Sequence, residues 1–191
     1  MHYFLYTLDC EGKLLQVYSQ NLDSLEHYAN LHYSAYDNPF ELTIQLHGHL
    51  DALKCNHCHH LIPFSTKYIK EFKKGMALLC THCPKSVESN TNQRCSKWLS
   101  EVQGVLLPDI LLYNQPHPRD DFMAEVRKYD CSQHPDVLMV MGTHLTVEGV
   151  ADLVECIAQK VHQRKNGVVI YIDINDLPQK TKWKKVFDYY L

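Results

Sequence analysis

The most regular hydrophobic pattern lies in the last third of the chain. Val137 to Met141 is an uninterrupted apolar run closed by Gly142, which is typical of a parallel strand buried on both faces. Apolar residues then recur at steps of three and four over residues 150–161, which predicts one face of an amphipathic helix. A second buried strand is predicted over residues 168–172. A strand, a helix and a strand joined by right-handed crossovers predict an open parallel sheet, with a nucleotide-type crevice at the carboxyl ends of its strands.

Shorter elements are predicted in the rest of the chain. The predicted helices span residues 2–10, 23–30, 66–74 and 119–129, and the predicted extended runs span residues 14–18, 42–46 and 109–113. The first of these helices ends before Gly12, and the second begins with Asp23 as its cap.

Residues 49–104 interrupt this α/β pattern and contain two C-x-x-C pairs. Cys55 and Cys58 form the first pair, Cys80 and Cys83 form the second, and 21 residues separate the two pairs. Each tight turn can direct two thiolates at one point, so two turns complete a tetrahedral site of four sulfurs. Zinc binding contributes on the order of 10–16 kcal/mol to folding, whereas four free thiols would leave this stretch, poor in apolar residues, with nothing to fold it. The sequence therefore predicts a structural zinc ion with no open position for catalysis.

The other cysteines and the histidines beside the pairs are given simpler roles. The histidines expected to be polar flanks of the zinc site are His57, His59, His60 and His82. The cysteines expected to be ordinary buried or half-buried thiols are Cys10, Cys95, Cys131 and Cys156. Cys95 is a replacement ligand if Cys80 or Cys83 is not used.

The composition limits the classes of function. The chain has 191 residues, a net charge of −3 and a pI near 6.5, which argues against a general binder of nucleic acids or membrane surfaces. No apolar run reaches the roughly 18 to 20 residues of a membrane span, and the N-terminus lacks the basic and apolar regions of a secretory signal. The cytosol or the nucleus is therefore expected, and in a reducing compartment eight cysteines indicate metal ligands before disulfides.

Several motifs occur in a fixed order along nearly the whole chain. They are Ser19-Gln20-Asn21-Leu22-Asp23, Gln45-Leu46-His47-Gly48, the two C-x-x-C pairs, Gly104 to Tyr113 with Pro108-Asp109-Ile110 inside it, and Asp136 to Leu145 with Gly142-Thr143-His144 near its end. Together they resemble the sirtuins, which are NAD-dependent protein-lysine deacylases. The phrases from Pro108 to Tyr113 and from Val186 to Tyr189 are similar to those of the fungal branch of nuclear histone deacetylases.

The resemblance implies an α/β fold, in which an incomplete Rossmann-like parallel sheet carries an inserted structural zinc module. Residues 1–48 and 105–191 would form the partial NAD-binding domain, and residues 49–104 the zinc module. The implied partner is an acetylated protein or histone peptide, with no direct contact to nucleic acid or membrane. The implied location is nuclear or cytoplasmic, with the nucleus preferred.

The resemblance also assigns roles to single residues. His47 matches the general base, which takes a proton from the nicotinamide ribose after the acetyl oxygen has attacked its anomeric carbon; a neutral imidazole suits this work near pH 7. The residues that match NAD-binding positions are Gln20, Asn21, Asp23, Gly142, Thr143, His144, Asp173 and Asn175. Ile110, Leu111 and Tyr113 match the segment to which an acetyl-lysine peptide adds as an extra strand.

Departures from the family pattern keep two interpretations open. The seven glycines, none closer together than seven positions, exclude a G-x-G-x-x-G loop, and the family's N-terminal G-A-G-x-S loop has no counterpart. A histidine, His144, replaces the serine of the family's G-T-S, and Asn114-Gln115 replaces its Gly-Glu. The chain is therefore expected to be an N-terminally truncated copy of an active deacetylase with a weak NAD site, or a catalytically inactive, zinc-stabilised protein-binding module. A zinc-ribbon nucleic-acid protein is disfavoured by the negative net charge.

Overall fold

The computed structural model describes residues 1–31, 42–83, 103–112 and 120–191. They divide into two compact units. The first contains the described residues of Met1–Leu8, Val17–Ser34 and Glu41–Gln115, and the second those of Asp9–Gln16 and Pro116–Leu191. In this part of the chain no helix has the length and apolar character needed to cross a membrane. Predictions that concern Cys95, Tyr113 and Asn114-Gln115 lie outside the described residues.

The first unit contains a parallel strand pair. After helix α1 (His2–Cys10), strand β1 (Val17–Ser19) pairs in parallel with β2 (Thr43–Gln45). Both strands are shorter than the predicted runs, because strand hydrogen bonding begins only where Val17 meets Thr43.

Helix α2 (Leu25–Tyr28) follows β1 and is only four residues long. Ser24 precedes it in a left-handed conformation (φ 53°) and makes no capping hydrogen bond through its side chain. Asp23 supplies the cap instead, since its Oδ1 accepts a hydrogen bond from the Leu25 amide at 3.2 Å. The capping role predicted for Asp23 is therefore confirmed, but the predicted helix over residues 23–30 is too long.

The first unit also contains a four-stranded antiparallel sheet. Its strands are β3 (Gly48–Cys55), β4 (Leu61–Pro63), β5 (Leu78–Leu79) and β6 (Val105–Ile110), in the spatial order β4-β3-β6-β5. A 3₁₀ turn and helix α3 (Ile69–Lys73) confirm the predicted helical stretch over residues 66–74. The buried side chains packed together here are Leu53, Cys55, Cys80, Cys83 and Leu106.

The strand predicted over residues 109–113 is misplaced. It is observed at Val105–Ile110, and it is antiparallel to both of its neighbours. The reason is its pairing with β3 and the burial of Leu106 against the cysteines, neither of which a local apolar run reveals. The division of the chain at residue 105 stays a prediction, although β6 shares a sheet with strands of the zinc module.

The second unit is a three-stranded parallel sheet with helices. Helix α4 (Asp120–Ser132) is followed by β7 (Val137–Met141), α5 (Glu148–Val161) and β8 (Val168–Ile172). Helix α6 (Lys180–Trp183) and strand β9 (Tyr189–Tyr190) complete the unit, with the strand order β7-β8-β9. All three strands are parallel, which confirms the predicted strand–helix–strand unit.

Helix α5 buries the face that its periodicity predicts. Its buried side chains are Val150, Ala151, Leu153, Val154, Ile157, Ala158 and Val161. Strand β7 is less buried than predicted, because Val137 is 47% exposed and only Val140 is fully buried. In β8, buried and half-buried residues alternate, so one face of the sheet is covered more deeply than the other.

The thiols outside the C-x-x-C pairs are only partly as predicted. Cys131 and Cys156 are half-buried as expected, whereas Cys10 is exposed because it lies at the end of α1. The two half-buried thiols also interact with each other across α4 and α5, which the sequence analysis missed. Burial, followed by the neighbouring Cys156, raises the pKa of Cys131 to about 11.

Candidate functional site

The four cysteines of the C-x-x-C pairs converge on one point. The Sγ atoms of Cys55 and Cys83 are 3.5 Å apart, those of Cys58 and Cys80 are 3.7 Å apart, and all four lie within 4.8 Å of one another. Four sulfurs placed tetrahedrally at about 2.3 Å from a zinc ion would be about 3.8 Å apart. The observed arrangement therefore fits a structural zinc ion, and four protein ligands leave no position for a reacting water.

Backbone N–H groups stabilise negative charge on these thiols unequally. Burial raises the pKa of Cys55, but the amides of Cys58 and His57, each 3.4 Å from its Sγ, help to lower it to about 6. The amide of His60 lowers the pKa of Cys58, but burial and the neighbouring thiols raise it to about 12. Four thiolates this close need a compensating cation, which a divalent metal supplies.

Gly104 is a residue of this centre whose role the sequence analysis missed. A Cβ atom at this position would overlap Cys55 Sγ, and the Gly104 amide donates a hydrogen bond to Cys83. The signal in the sequence was a glycine directly before the apolar run of β6. Of the predicted histidine flanks, His60 and His82 stack on each other with ring centroids 3.9 Å apart.

His47 lies in the turn between β2 and β3 of the same unit. It is half-buried, and this burial lowers its pKa from the ordinary 6.5, which keeps the imidazole neutral near pH 7. Its Nε2 is 3.5 Å from Gln20 Oε1. Parallel pairing of β1 with β2 brings the two side chains to the same edge, so the structure joins two residues that are 27 positions apart in the sequence.

The residues after Gln20 form an exposed turn at this edge. The backbone amide of Asn21 donates a hydrogen bond to Ser19 Oγ at 3.3 Å, and the Asp23 side chain caps helix α2. Both residues are exposed.

The end of β6 runs directly beside His47. Ile110 pairs with Gly48, and the Leu111 amide donates to the His47 carbonyl at 2.9 Å. On its other side, β6 is covered by β5 only at Val105 and Leu106. Ile110 and Leu111, the described residues of the predicted substrate segment, are thus adjacent to the predicted base.

The remaining predicted positions lie in the second unit, at the carboxyl ends of β7 and β8. Gly142 turns the chain with a φ of 63°, and its amide donates to the Ile172 carbonyl at 2.9 Å. The carbonyl of Thr143 accepts a hydrogen bond from the Tyr171 hydroxyl at 3.0 Å. These contacts bring the ends of two parallel strands together, where such sheets bind nucleotides.

Asp173 and Asn175 act as one cluster at this edge. The backbone amide of Asn175 donates to Asp173 Oδ1 at 2.8 Å, and its side-chain amide donates to the same atom at 3.0 Å. These bonds lower the pKa of Asp173, and the bond from the Asn175 backbone amide contributes most. The charge of His144 lowers this pKa further. The carboxylate is therefore ionised at neutral pH, and His144 lies near it.

Comparison with known proteins identifies the class to which this chain belongs. The family model described as Sir2 family matches residues 1–149. The chain therefore belongs to the Sir2 family, the sirtuins.

Individual relatives agree with this assignment. The chain is 30% identical over 198 residues to NAD-dependent histone deacetylase HST3 of Saccharomyces cerevisiae, covering 98% of this chain and 44% of that protein. It is 32% identical over 174 residues to NAD-dependent histone deacetylase HST4 of the same yeast, covering 88% of this chain and 46% of that protein. The chain thus spans about half the length of these relatives.

Solved structures share the fold. A structure described as Sir2-p53 peptide-NAD+ matches with a TM-score of 0.68 at 18% identity, covering 99% of this chain and 62% of that chain. Another, described as Sir2 bound to acetylated peptide, matches with a TM-score of 0.67 at 17% identity. The sirtuin fold predicted from the motifs is confirmed by these matches.

Proposed function

We propose that this chain carries the base, the substrate strand and the zinc module of an NAD-dependent protein-lysine deacetylase that acts on histones. The observation that carries the proposal is the position of His47, whose Nε2 is 3.5 Å from Gln20 Oε1 and whose carbonyl bonds the strand-end amide of Leu111. A neutral imidazole is thereby placed between a predicted nicotinamide-ribose site and a predicted peptide site. The names of the fungal relatives supply the reaction class.

The proposed reaction divides the work among these residues. When bound, NAD would supply an electrophilic ribose carbon with nicotinamide as its leaving group. One water is consumed as the acetyl group passes from lysine to ADP-ribose and the lysine amine is freed. His47 accepts the proton of a ribose hydroxyl at Nε2, for which its lowered pKa keeps it unprotonated. In the first unit, Gln20, Asn21 and Asp23 are the residues proposed to orient the nicotinamide end of NAD. In the second unit, taken by itself, the residues proposed to contact NAD are Gly142 to His144, Asp173 and Asn175.

The peptide site is proposed at the side of β6 that, among the described residues, β5 covers only at Val105 and Leu106. An extended acetylated peptide would add to Ile110 and Leu111 as a strand, because backbone hydrogen bonds give affinity without a fixed sequence. The four-cysteine zinc centre lies in the same sheet, at the end of β3 opposite Gly48. The two yeast relatives are named histone deacetylases, and histones are nuclear proteins. We therefore propose that this protein acts in the nucleus.

A non-catalytic, zinc-stabilised protein-binding module is the second candidate. It is favoured by the bulky imidazole of His144, which follows Gly142-Thr143 where the family pattern has a small serine. The same zinc centre and peptide strand would serve such a module.

Substitution of His47 separates these candidates. The chain is expected to release nicotinamide from NAD only in the presence of an acetyl-lysine histone peptide. Because the base acts after nicotinamide has left, His47→Ala should lower the steady-state rate of release, measured over many turnovers, by about 100-fold or more. The control is His134→Ala, which removes an exposed histidine of the second unit. If His47→Ala released nicotinamide as fast as the control, the assigned base would be wrong, and no release by any of the proteins would favour the module.

A further inference from the structure

A buried carboxylate lies beneath the strand ends that carry the proposed base. Glu26, on helix α2, has only 3% of its surface exposed. Its Oε1 accepts a hydrogen bond from the Ser19 hydroxyl at 2.6 Å, and its Oε2 accepts one from Gln45 Nε2 at 3.4 Å. A carboxylate withdrawn from water is destabilising unless it is hydrogen-bonded, so these two contacts determine whether Glu26 is tolerated in this position.

The two partners of Glu26 are the last residues of neighbouring strands. Ser19 ends β1 and Gln45 ends β2, and the two are paired across the sheet. One carboxylate therefore ties both strand ends together. Gln20 follows directly on the first strand and His47 follows two residues later on the second, and their side chains meet at 3.5 Å.

The Ser19 hydroxyl extends this restraint to the next residues of its motif. It donates to Glu26 and accepts the amide of Asn21 at 3.3 Å. Among the described residues, the titratable group that faces Glu26 is His2, whose Nδ1 is 3.9 Å from Oε1. Glu26 therefore contacts the last residue of each of the two strands that lead to Gln20 and His47.

We propose that Glu26 is a positioning residue, which sets the distance between His47 and Gln20 by holding the ends of β1 and β2 in register. The inference rests on the proposed function for its chemical meaning, since a base must be placed accurately: a displacement of about 1 Å can cost about 100-fold in rate. The effect of Glu26 on the position of His47 can be tested without any measurement of enzymatic activity.

Glu26→Gln is the variant that preserves shape. Its amide oxygen can still accept from Ser19, but its NH₂ group faces the NH₂ group of Gln45, so the charge-assisted bond from Gln45 is lost. A turned Gln45 amide could accept through Oε1, which would replace that bond with a weaker neutral one. The tie to β2 is therefore weakened while helix α2 keeps its side-chain volume. Glu125→Gln, at an exposed position of α4, makes the same chemical change elsewhere and is the matched control.

The first readout is the titration of His47 followed by NMR. In the unchanged chain its pKa lies below 6.5, because the ring is half-buried. Glu26→Gln should raise this pKa by about 0.5 unit, because loosened strand ends let water reach the ring, and Glu125→Gln should not change it. A lowered pKa would mean that Glu26 acts through its charge, and an unchanged pKa that it does not position His47; either result overturns the proposal, even if no turnover is detected.

The second readout is acetyl-lysine-dependent nicotinamide release. Glu26→Gln should lower kcat about 10-fold with the peptide KM within about twofold. Adding Gln45→Glu reverses donor and acceptor, restores a charge-assisted tie between α2 and β2 and should recover most of kcat. A double variant no faster than Glu26→Gln, or a loss confined to KM, would contradict positioning. Failure of the unchanged chain to release nicotinamide would count against the proposed function alone, and the NMR titration would still decide the role of Glu26.

Discussion

Two glycines of the first unit, Gly48 and Gly104, leave no room for a Cβ atom. A Cβ atom on Gly48 would overlap the Asp109 carbonyl, and its φ of 76° already favours glycine. This close approach lets β6 end beside His47. Gly104 plays the corresponding part at the four-cysteine centre, where a Cβ atom would overlap Cys55 Sγ. Each glycine adjoins a motif of the candidate site, but the spacing of that motif does not show why a glycine is needed there.

Gly104→Ala should weaken zinc binding. The added methyl group displaces Cys55 Sγ from the cluster, and changes next to metal ligands typically cost about 10- to 100-fold in affinity. The unchanged chain is expected to hold one zinc ion, as measured by elemental analysis and by competition with a chromogenic chelator.

The control for this measurement is Gly149→Ala in α5. A Cβ atom there has no neighbour within 4 Å, so zinc affinity should be unchanged and stability slightly higher. Equal zinc affinity in the two variants would show that Gly104 does not support the centre.

At the scale of elements, Asp188 joins β8, β9 and the end of α5. Its Oδ2 accepts the Val169 amide at 2.8 Å and lies 3.1 Å from His162 Nε2. The Val169 amide, joined by His162 and opposed by burial, lowers the pKa of Asp188 below 3.8. Because the folded-state pKa is the lower one, the stabilisation is present above pH 3.8 and is lost as the pH falls through the folded value.

Asp188→Asn should therefore lower the free energy of unfolding by about 1 kcal/mol at pH 7 and by less near pH 3, because at acid pH the unchanged chain has also lost the carboxylate. Thermal unfolding at the two pH values measures this difference. The control is Asp176→Asn, which removes the exposed partner of Lys180. A loss of stability that is the same at both pH values would argue against an ionised Asp188 in the folded state.

The elements that could be predicted are those with a strong local pattern. Strands β7 and β8 and helix α5 are found where the apolar runs place them, because each has a strong local apolar pattern, although β7 is buried only at Val140. Strands β3, β4 and β5 were not predicted, since they form by pairing around the cysteine cluster. The zinc ligands could be predicted from spacing, whereas Glu26 could not, because its partners Ser19 and Gln45 meet it only in the folded chain.

At the scale of the whole molecule, each of the two compact units carries its own candidate residues. The first holds His47, the four-cysteine centre and the proposed substrate strand, and the second holds the strand ends near Gly142 and Asp173. Family membership could be inferred from the order of the motifs along the chain. The roles of single residues stay proposals, since contacts with a dinucleotide or a peptide decide them.

The central claim is that this chain takes part in acetyl transfer from lysine to ADP-ribose. The most direct measurement follows an acetylated histone peptide and NAD by mass spectrometry after incubation with the zinc-loaded protein. We predict that deacetylated peptide, nicotinamide and acetylated ADP-ribose form in equal amounts, and that none forms with His47→Ala. Deacetylation without NAD, or release of free acetate in place of acetylated ADP-ribose from the start of the reaction, would contradict the account.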